Sequence, residues 1–281
     1  MFNRLSFYGA KDAIVQTFGS FFGLQRTWDY SNGRPVIETN ESITPSATLR
    51  GGWQLSGAVS RSGFAYDPQN YSGYRVVPNS PFDDSRFPVA FTVPGFEADQ
   101  FGGSFRVTTP TLRFFSATTS VSRGKTPIFR EAAPGRSTRI DGALDLRPTT
   151  SLRASVQFSR LTLERSRDDS RFSTETIPRL KMEYQVNQAL FLRLVGQYAA
   201  RSRSALRDRN GNVILIDGEL QPATSTNEFS MDWLFSYRPI PGTLVYLGYG
   251  STMEEAREFR FQDLRRTRDG FFGKLSYLFR F

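Results

Sequence analysis

The last twelve residues of the chain alternate between two chemically different faces, and this alternation constrains the fold more than any other feature. One face of the two-residue repeat is apolar and largely aromatic, and the other carries Lys274, Ser276 and Arg280, interrupted by Phe272 and Leu278. The apolar positions are Phe271, Gly273, Leu275, Tyr277, Phe279 and Phe281. Because successive side chains of a strand point to opposite faces, the segment is typical of a strand between lipid and water. It also fits a half-buried edge strand of a soluble β-sandwich.

The terminal aromatic residue of this strand resembles the C-terminal signal of bacterial outer-membrane β-barrels. The mean hydropathy of −0.41 does not exclude a membrane protein of this kind, because lipid-facing and lumen-facing residues alternate in a barrel. No stretch approaches the roughly 18 consecutive apolar residues of a membrane-spanning helix. Aromatic residues make up 14% of the chain, with 26 Phe and 11 Tyr, which favours aromatic belts over one compact core.

The chain contains no cysteine and no histidine. Disulfides, thiolate metal sites and the usual general base are therefore absent, which excludes most catalytic constellations. We expect no enzymatic activity and no cofactor.

The formal charge of +9 arises from 36 basic and 27 acidic residues. Arginine is spread along the chain with acidic residues between, and basic residues cluster only in short pieces such as Arg265-Arg266. Interleaved charge of this kind favours a polar lumen and a charged rim over nucleic-acid binding.

Short and long connections alternate along the chain. Tight turns are predicted at 50–52, 109–111, 147–150, 186–188 and 238–243, and longer polar connections at 66–97, 125–135, 165–171, 204–224 and 256–268. This alternation matches the short periplasmic turns and longer extracellular loops of outer-membrane barrels. The segment Asp208-Arg-Asn-Gly-Asn212 has the wrong spacing for an EF-hand calcium loop and predicts a turn within a loop hairpin.

Period-two segments between these connections predict an all-β, antiparallel up-and-down barrel of about twelve strands. The predicted strands are 12–29, 35–49, 52–66, 97–108, 111–124, 136–147, 150–165, 171–186, 188–203, 225–238, 243–255 and 269–281. Several exceed the five or six residues of an average globular strand, as membrane strands do. An even number of strands would place both termini on the same side, which is periplasmic in this interpretation.

The alternation also assigns candidate functional residues. Lumen-facing candidates are Arg153, Arg179, Lys181, Glu183, Arg193, Glu228, Asp232, Lys274, Asp141 and Asp145. Membrane-facing or assembly-signal candidates are Phe229, Met231, Trp233, Phe235, Tyr237, Leu275, Tyr277, Phe279 and Phe281. Opposite charges on the lumen side would stiffen the wall by cross-strand pairing, or would form a polar conduit or binding surface for sugars or anions. Barrels of about eight strands have an interior filled by side chains, and barrels of sixteen or more have an aqueous channel. A barrel of twelve strands is intermediate in size, so the strand count does not distinguish a stiffened wall from a conduit.

Three segments carry a family resemblance: Thr226–Arg238, Pro241–Tyr249 and Lys274–Leu278. Together they resemble an uncharacterised bacterial family in which a periplasmic, carbohydrate-binding-like β-sandwich precedes a C-terminal outer-membrane barrel. The resemblance covers about the last sixty residues, and this chain shows no sandwich domain. The resemblance implies an outer-membrane location and a barrel architecture, and it implies a role with glycans through the β-sandwich domain. It assigns no catalytic residue.

These observations predict one barrel domain over residues 1–281 in the bacterial outer membrane, with a non-enzymatic role in a pore, in transport or in surface binding. The start Met1–Lys11 lacks an export signal, so we expect the C-terminal part of a larger protein rather than a mature form with an added methionine. Expected partners are outer-membrane lipid, the barrel-assembly machinery acting on the C-terminal strand, and a glycan or small polar solute. The alternatives are a fragment of a TonB-dependent receptor and a soluble, secreted, carbohydrate-binding β-sandwich.

Overall fold

The computed structural model describes residues 1–30, 33–78 and 87–278, and in this part the chain is built almost entirely from β-strands. The strands are β1 (Phe2–Tyr8), β2 (Val15–Asp29), β3 (Arg34–Leu49), β4 (Gln54–Ala65), β5 (Tyr74–Val77), β6 (Val89–Ala90), β7 (Phe96–Thr108), β8 (Phe115–Ile128), β9 (Ala133–Leu146), β10 (Leu152–Arg165), β11 (Arg171–Gln185), β12 (Leu190–Arg203), β13 (Val213–Ile216), β14 (Glu219–Leu220), β15 (Thr224–Tyr237), β16 (Thr243–Glu254) and β17 (Arg265–Tyr277). Two short 3-10 turns, Pro68–Tyr71 and Phe129–Glu131, are the only helical elements there. No helix in these residues is long and apolar enough to cross a membrane.

Thirteen strands form one antiparallel sheet in the order β1-β2-β3-β4-β7-β8-β9-β10-β11-β12-β15-β16-β17. The other four form a smaller sheet in the order β14-β13-β5-β6. The antiparallel meander was predicted, and each of the twelve predicted segments contains a strand. The predicted number was wrong, because the described residues contain seventeen strands. The sequence prediction missed β1 and the four strands of the smaller sheet, which are short and lie in segments that look like loops.

An odd number of strands in the large sheet also changes its edges. In an antiparallel meander of thirteen strands, β1 and β17 run in the same direction, so the prediction of an even count with both termini on one side was wrong. Both strands have exposed side chains along their whole length. Among the described residues no pairing joins β1 to β17, and they form the two edges of the sheet.

The connections fall at two ends of the large sheet. Short connections at 50–53, 109–114, 147–151, 186–189 and 238–242 define the turn end, and the segments between β4 and β7 and between β12 and β15 belong to the loop end. The predicted long connection 125–135 was wrong. Lys125 pairs with Arg136, so β8 and β9 continue outward and only residues 129–132 link them.

The buried core lies at the loop end, where the smaller sheet packs on the large one. One cluster joins Val76, Ile128, Phe172, Leu206 and Ile214. A second joins Tyr66, Tyr71 and Ala132. We call the assembly formed by the smaller sheet and these clusters the cap. It closes over one face of the large sheet, and it brings together two loop segments that are more than a hundred residues apart in the sequence.

Candidate functional site

Strand register places every lumen-facing candidate on one face of the large sheet. Directly paired residues of neighbouring strands share a face, and residues two apart on one strand share it too. Ser155 pairs with both Asp145 and Lys181, and Glu183 pairs with both Arg153 and Arg193. The same rule connects Asp141, Arg179, Glu228, Asp232 and Lys274 to this face through β9, β11, β12, β15, β16 and β17. We call it the polar face.

The opposite, apolar face carries the membrane-facing candidates that the structure describes. Trp233 pairs with Tyr249, which pairs with Phe271, and the rings of Trp233 and Phe271 meet edge to face with their centroids 5.9 Å apart. The candidates on this face are Phe229, Met231, Trp233, Phe235, Tyr237, Leu275 and Tyr277. Phe279 and Phe281 lie outside the described residues. Leu275 is 73% exposed and Phe271 is 72% exposed, so the described chain does not cover this part of the face.

A cavity of about 570 Å³ lies on the polar face near the turn end of β9, β10 and β11. Its charged lining residues are Asp145, Arg147, Arg153, Arg179, Lys181 and Glu183. Four of these side chains are basic and two are acidic, so the cavity has an excess of positive charge. We call Arg147, Arg153, Arg179 and Lys181 the basic strip.

Most of the basic strip has no ion-pair partner. Lys181 contacts Glu183 at 2.9 Å, and this is the one salt bridge of the strip among the described residues. Arg179 donates to the amide oxygen of Gln197 at 3.3 Å, which leaves its positive charge uncompensated. Arg153 lies opposite Glu183 in the register without a salt bridge to it. Guanidinium groups with free donors are suited to binding carboxylates and phosphates.

The structure therefore brings together only half of the lumen-facing candidates. Asp145, Arg153, Arg179, Lys181 and Glu183 line the cavity. The other five, Asp141, Arg193, Glu228, Asp232 and Lys274, lie on the same face outside the cavity lining. Arg147 was missed as a site residue because it follows β9 in a turn, although it continues the polar side of the alternation in that strand.

Some of the acidic candidates outside the cavity are held by neighbouring polar groups. Asp141 accepts a hydrogen bond from the Ser159 hydroxyl at 2.7 Å and contacts Arg139 at 3.2 Å. Glu228 accepts from the Ser230 hydroxyl at 3.3 Å. Only the Ser159–Asp141 contact crosses between strands, and the Arg139–Asp141 and Ser230–Glu228 contacts lie within one strand, so the predicted stiffening by cross-strand charge pairs stays a prediction.

The cap also packs on the polar face. Leu163 pairs with Ser137, and the alternation of β8 places Ile128 on the same side as Ser120, the partner of Asp141. Both contact the cluster that contains Ile214 of the smaller sheet. The cap therefore covers the loop end of the face whose turn end carries the basic strip.

A buried ion pair joins the cap to the large sheet, and sequence reasoning missed it. The Arg165 Nε donates to Glu131 Oε2 at 2.8 Å, and its Nη2 donates to Oε1 at 2.6 Å. The backbone N–H of Arg207 donates to the same Oε1 at 2.8 Å. The side chains of Glu131 and Arg165 are 0% and 6% exposed. No local pattern marks this pair, because Glu131 lies in the link between β8 and β9 and Arg165 ends β10, 34 residues further along the chain.

Tyrosines and a turn complete the cap. The Tyr71 hydroxyl donates to the Phe129 carbonyl oxygen at 2.7 Å, and burial raises the pKa of Tyr71 to about 12. Asp208 accepts from the backbone N–H groups of Asn210 and Asn212 at 2.9 and 2.8 Å. That geometry confirms the predicted turn at 208–212. The backbone N–H of Asp208 donates to the Asn212 carbonyl oxygen at 2.9 Å, and an antiparallel bridge pairs Arg207 with Val213, so the turn closes a hairpin as predicted. A second hairpin joins β13 and β14.

Comparison with known proteins gives likenesses only at the level of solved structures. No family model matches the chain, and no curated protein matches it. A structure of NanC, named as a porin, shares 9% identity and covers 92% of this chain and 99% of its own, with a TM-score of 0.32. OmpT, named as an outer membrane protein of Vibrio cholerae, shares 10% identity over 90% of this chain and 85% of its own, with a TM-score of 0.33.

A loop-deletion variant of the same Vibrio cholerae OmpT shares 11% identity, covers 98% of this chain and 95% of its own, and has a TM-score of 0.37. TM-scores below 0.5 at identities near 10% identify neither the fold nor the function of this chain. The resemblance of the last sixty residues to a two-domain family stays a prediction.

Proposed function

We propose that this chain forms a β-barrel of the bacterial outer membrane, non-enzymatic, whose polar face lines a lumen that conducts small anionic solutes. The apolar face would then contact lipid, and the loop end would face the cell exterior, as in barrels with long outer loops. The observation that carries the proposal is the opposition of an exposed apolar face and a charged face on one large sheet.

The dimensions of the apolar face support a membrane location. On β15 the apolar row runs from Phe229 to Tyr237, which is roughly 27 Å along a strand at about 3.4 Å per residue. A tilt of about 40° reduces this length to roughly 20 Å of height, close to the apolar band of about 25 Å in outer-membrane barrels. Tyr184, Tyr237 and Tyr277 lie on this face toward the turn end, where an interfacial aromatic girdle is expected.

The position of the cap weighs against a soluble sandwich. A sandwich buries its apolar faces against a second sheet. Here the second sheet packs on the polar face, through Leu163 and Ile128, and the apolar face keeps highly exposed residues such as Phe271 and Leu275. An exposed apolar area of this extent is typical of contact with membrane or protein.

Closure of the barrel requires that the edges β1 and β17 be satisfied, since open sheet edges do not occur in a bilayer. The edges can pair with each other in parallel, or they can pair with strands of a longer protein. The second arrangement fits the predicted C-terminal part of a larger protein and also a fragment of a TonB-dependent receptor. The full-length gene separates these, because such a receptor has a plug domain and a glycan-linked family member has a β-sandwich.

The basic strip gives the lumen its proposed preference for anions. Arg153 and Arg179 lie on the cavity wall without carboxylate partners. An anion that passes this wall can therefore bind their guanidinium groups in place of water. Rings of Arg and Lys are the usual device of anion-selective pores. Sugar acids and small phosphorylated compounds belong to the expected solute class.

The test is a reversal-potential measurement on the protein in a planar bilayer under a KCl gradient. We expect single-channel currents with anion preference, and we expect the double variant Arg153→Gln/Arg179→Gln to reduce the chloride-to-potassium permeability ratio severalfold. The matched control is Arg26→Gln/Arg61→Gln, which removes two arginines from the apolar face. Absence of channels in a correctly inserted protein, or equal selectivity in both variants, would refute the proposal.

A further inference from the structure

The apolar face ends in charged residues toward the loop end of the sheet. On β8, Val121 is followed on the same face by Arg123 and Lys125, and on β10, Phe158 is followed by Arg160. Equivalent boundary residues on the other strands are Arg26, Glu41, Arg61 and Arg136. In the proposed orientation, this boundary lies at the level of the lipid headgroups of the outer leaflet.

The two parts of this boundary differ in how their charges are compensated. On β2, β3 and β4, Arg26 pairs with Glu41 at 2.8 Å and Arg61 pairs with Asp99. On β8 and β10, Arg123, Lys125 and Arg160 are exposed and make no salt bridge with any described residue. We call these three residues the outer basic patch.

Strand register brings the outer basic patch together. Arg123 pairs with Thr138, Lys125 pairs with Arg136, and Arg160 pairs with Ile140, all on the apolar face of three adjacent strands. With strands about 4.8 Å apart, β8 and β10 are separated by roughly 10 Å. Two acidic residues lie close by: Asp169 forms a salt bridge with Arg136, and Glu164 lies between Arg136 and Arg171 in the register, so neither forms a salt bridge with a residue of the patch.

Exposed apolar side chains lie beside the patch and on its membrane side. Val121 and Ile140 share a cross-strand row with Arg160, one row below Arg123, and Phe158 precedes Arg160 on the same face of β10; all three apolar residues are exposed. A ligand that covers both surfaces needs acyl chains below and anionic groups above. Guanidinium groups bind phosphate through paired N–H donors, and basic residues at a membrane surface attract anionic headgroups.

We propose that the outer basic patch binds the phosphate groups of a phosphorylated glycolipid of the outer leaflet, with its acyl chains against Val121, Ile140 and Phe158. The inference rests on the proposed function, because the patch faces lipid only if the apolar face does. The lipid would supply the negative charge that Glu41 and Asp99 supply elsewhere on the same boundary.

The test compares two matched double variants, Arg123→Gln/Arg160→Gln and Arg26→Gln/Arg61→Gln, in delipidated, detergent-folded protein. The probe is bis-phosphorylated lipid A, titrated by native mass spectrometry beside the same lipid after dephosphorylation. We expect lipid binding to weaken by about tenfold or more in the first variant, because each basic residue near an anionic membrane surface adds to the attraction. We expect little change in the second variant, whose arginines already have carboxylate partners.

Four outcomes would overturn the inference. Equal loss in both variants would mean that general charge acts rather than the patch, and equal binding of the dephosphorylated lipid would mean that phosphate is not recognised. Competition by millimolar inorganic phosphate alone would assign the site to a soluble anion. Gel mobility of unboiled samples distinguishes a failure of the lipid site from a failure of the proposed barrel. A variant that shifts normally yet binds lipid like the wild type refutes the lipid site alone, whereas failure of every sample to fold in detergent refutes the barrel.

Discussion

Replacing Trp233 with arginine places a charge in the middle of the apolar face. Trp233 is the central member of the five-residue apolar row from Phe229 to Tyr237 on β15, and it lies four residues from either end. Each end is therefore roughly 14 Å away along the strand, at about 3.4 Å per residue. In a barrel, this position is near the midplane of the bilayer, where an arginine side chain finds neither water nor a partner charge.

The expected cost has two parts. A lipid-facing arginine at the midplane costs about 2–4 kcal/mol. The Trp233 ring also contacts Tyr249 and Phe271 at centroid distances of 6.3 and 5.9 Å, and each such aromatic pair contributes about 0.5–1.5 kcal/mol. Trp233→Arg should therefore lower the unfolding free energy by about 3–7 kcal/mol, while Trp233→Leu should lose only the aromatic part. Ser230→Arg, on the polar face of the same strand, should cost less than about 1 kcal/mol.

The assay is reversible urea or guanidinium unfolding of the protein in lipid vesicles, followed by tryptophan fluorescence, with Phe235→Arg as a second apolar-face variant that keeps all three tryptophans. For Trp233→Arg itself, the shift of protease protection with denaturant replaces fluorescence. Equal tolerance of arginine at positions 230 and 235 would mean that the two faces have the same environment, and it would rule out a lipid-facing side.

Three further predictions concern the cap and the sheet. Glu131→Gln leaves Arg165 buried without a counter-charge and should lower the unfolding free energy by about 3–5 kcal/mol in denaturant titrations; a loss below about 1 kcal/mol would mean that water reaches the pair. The raised pKa of Tyr71 means that the unfolded chain loses this proton at lower pH than the folded chain, so stability from this group is present below about pH 10 and is lost as pH rises toward 12. Ultraviolet titration should show Tyr71 ionising near pH 12, and Tyr71→Phe should remove the absorbance change of one tyrosine from that range; an unchanged titration would contradict the assignment. Gly124→Ala should cost about 1–3 kcal/mol because its Cβ would lie 2.6 Å from the Gly102 Cα, whereas Gly142→Ala meets no atom within 4 Å and should be nearly neutral in the same titrations.

The two faces of the large sheet could be predicted from the sequence because facing depends on local alternation. Once β10 and β11 are recognised as strands, the side to which Arg153 and Lys181 point follows from counting residues. The turn at Asp208 was also predictable, since its side chain bonds to backbone groups only two and four residues away. These features need no information about which distant segments meet.

Other features depended on long-range contacts and could not be predicted. The smaller sheet forms because Val76 pairs with Ile214, and nothing in either loop specifies the other. The Glu131–Arg165 pair is hidden for the same reason, since each residue looks like an ordinary loop or strand-end charge. The cavity at the turn end follows from register between β9, β10 and β11, which selects five of the ten candidates and adds Arg147. Strand β1 was missed because it is short, and its pairing with β2 decides the odd strand count.

Heat-modifiability on a gel shows whether the chain forms a closed barrel. The chain is refolded in detergent, and boiled and unboiled samples are compared on a gel with and without protease. We predict a faster-migrating, protease-resistant band in the unboiled sample, because a closed barrel stays compact in detergent. A folded chain that is soluble without detergent and shows no shift would mean that the chain is a soluble β-sheet protein.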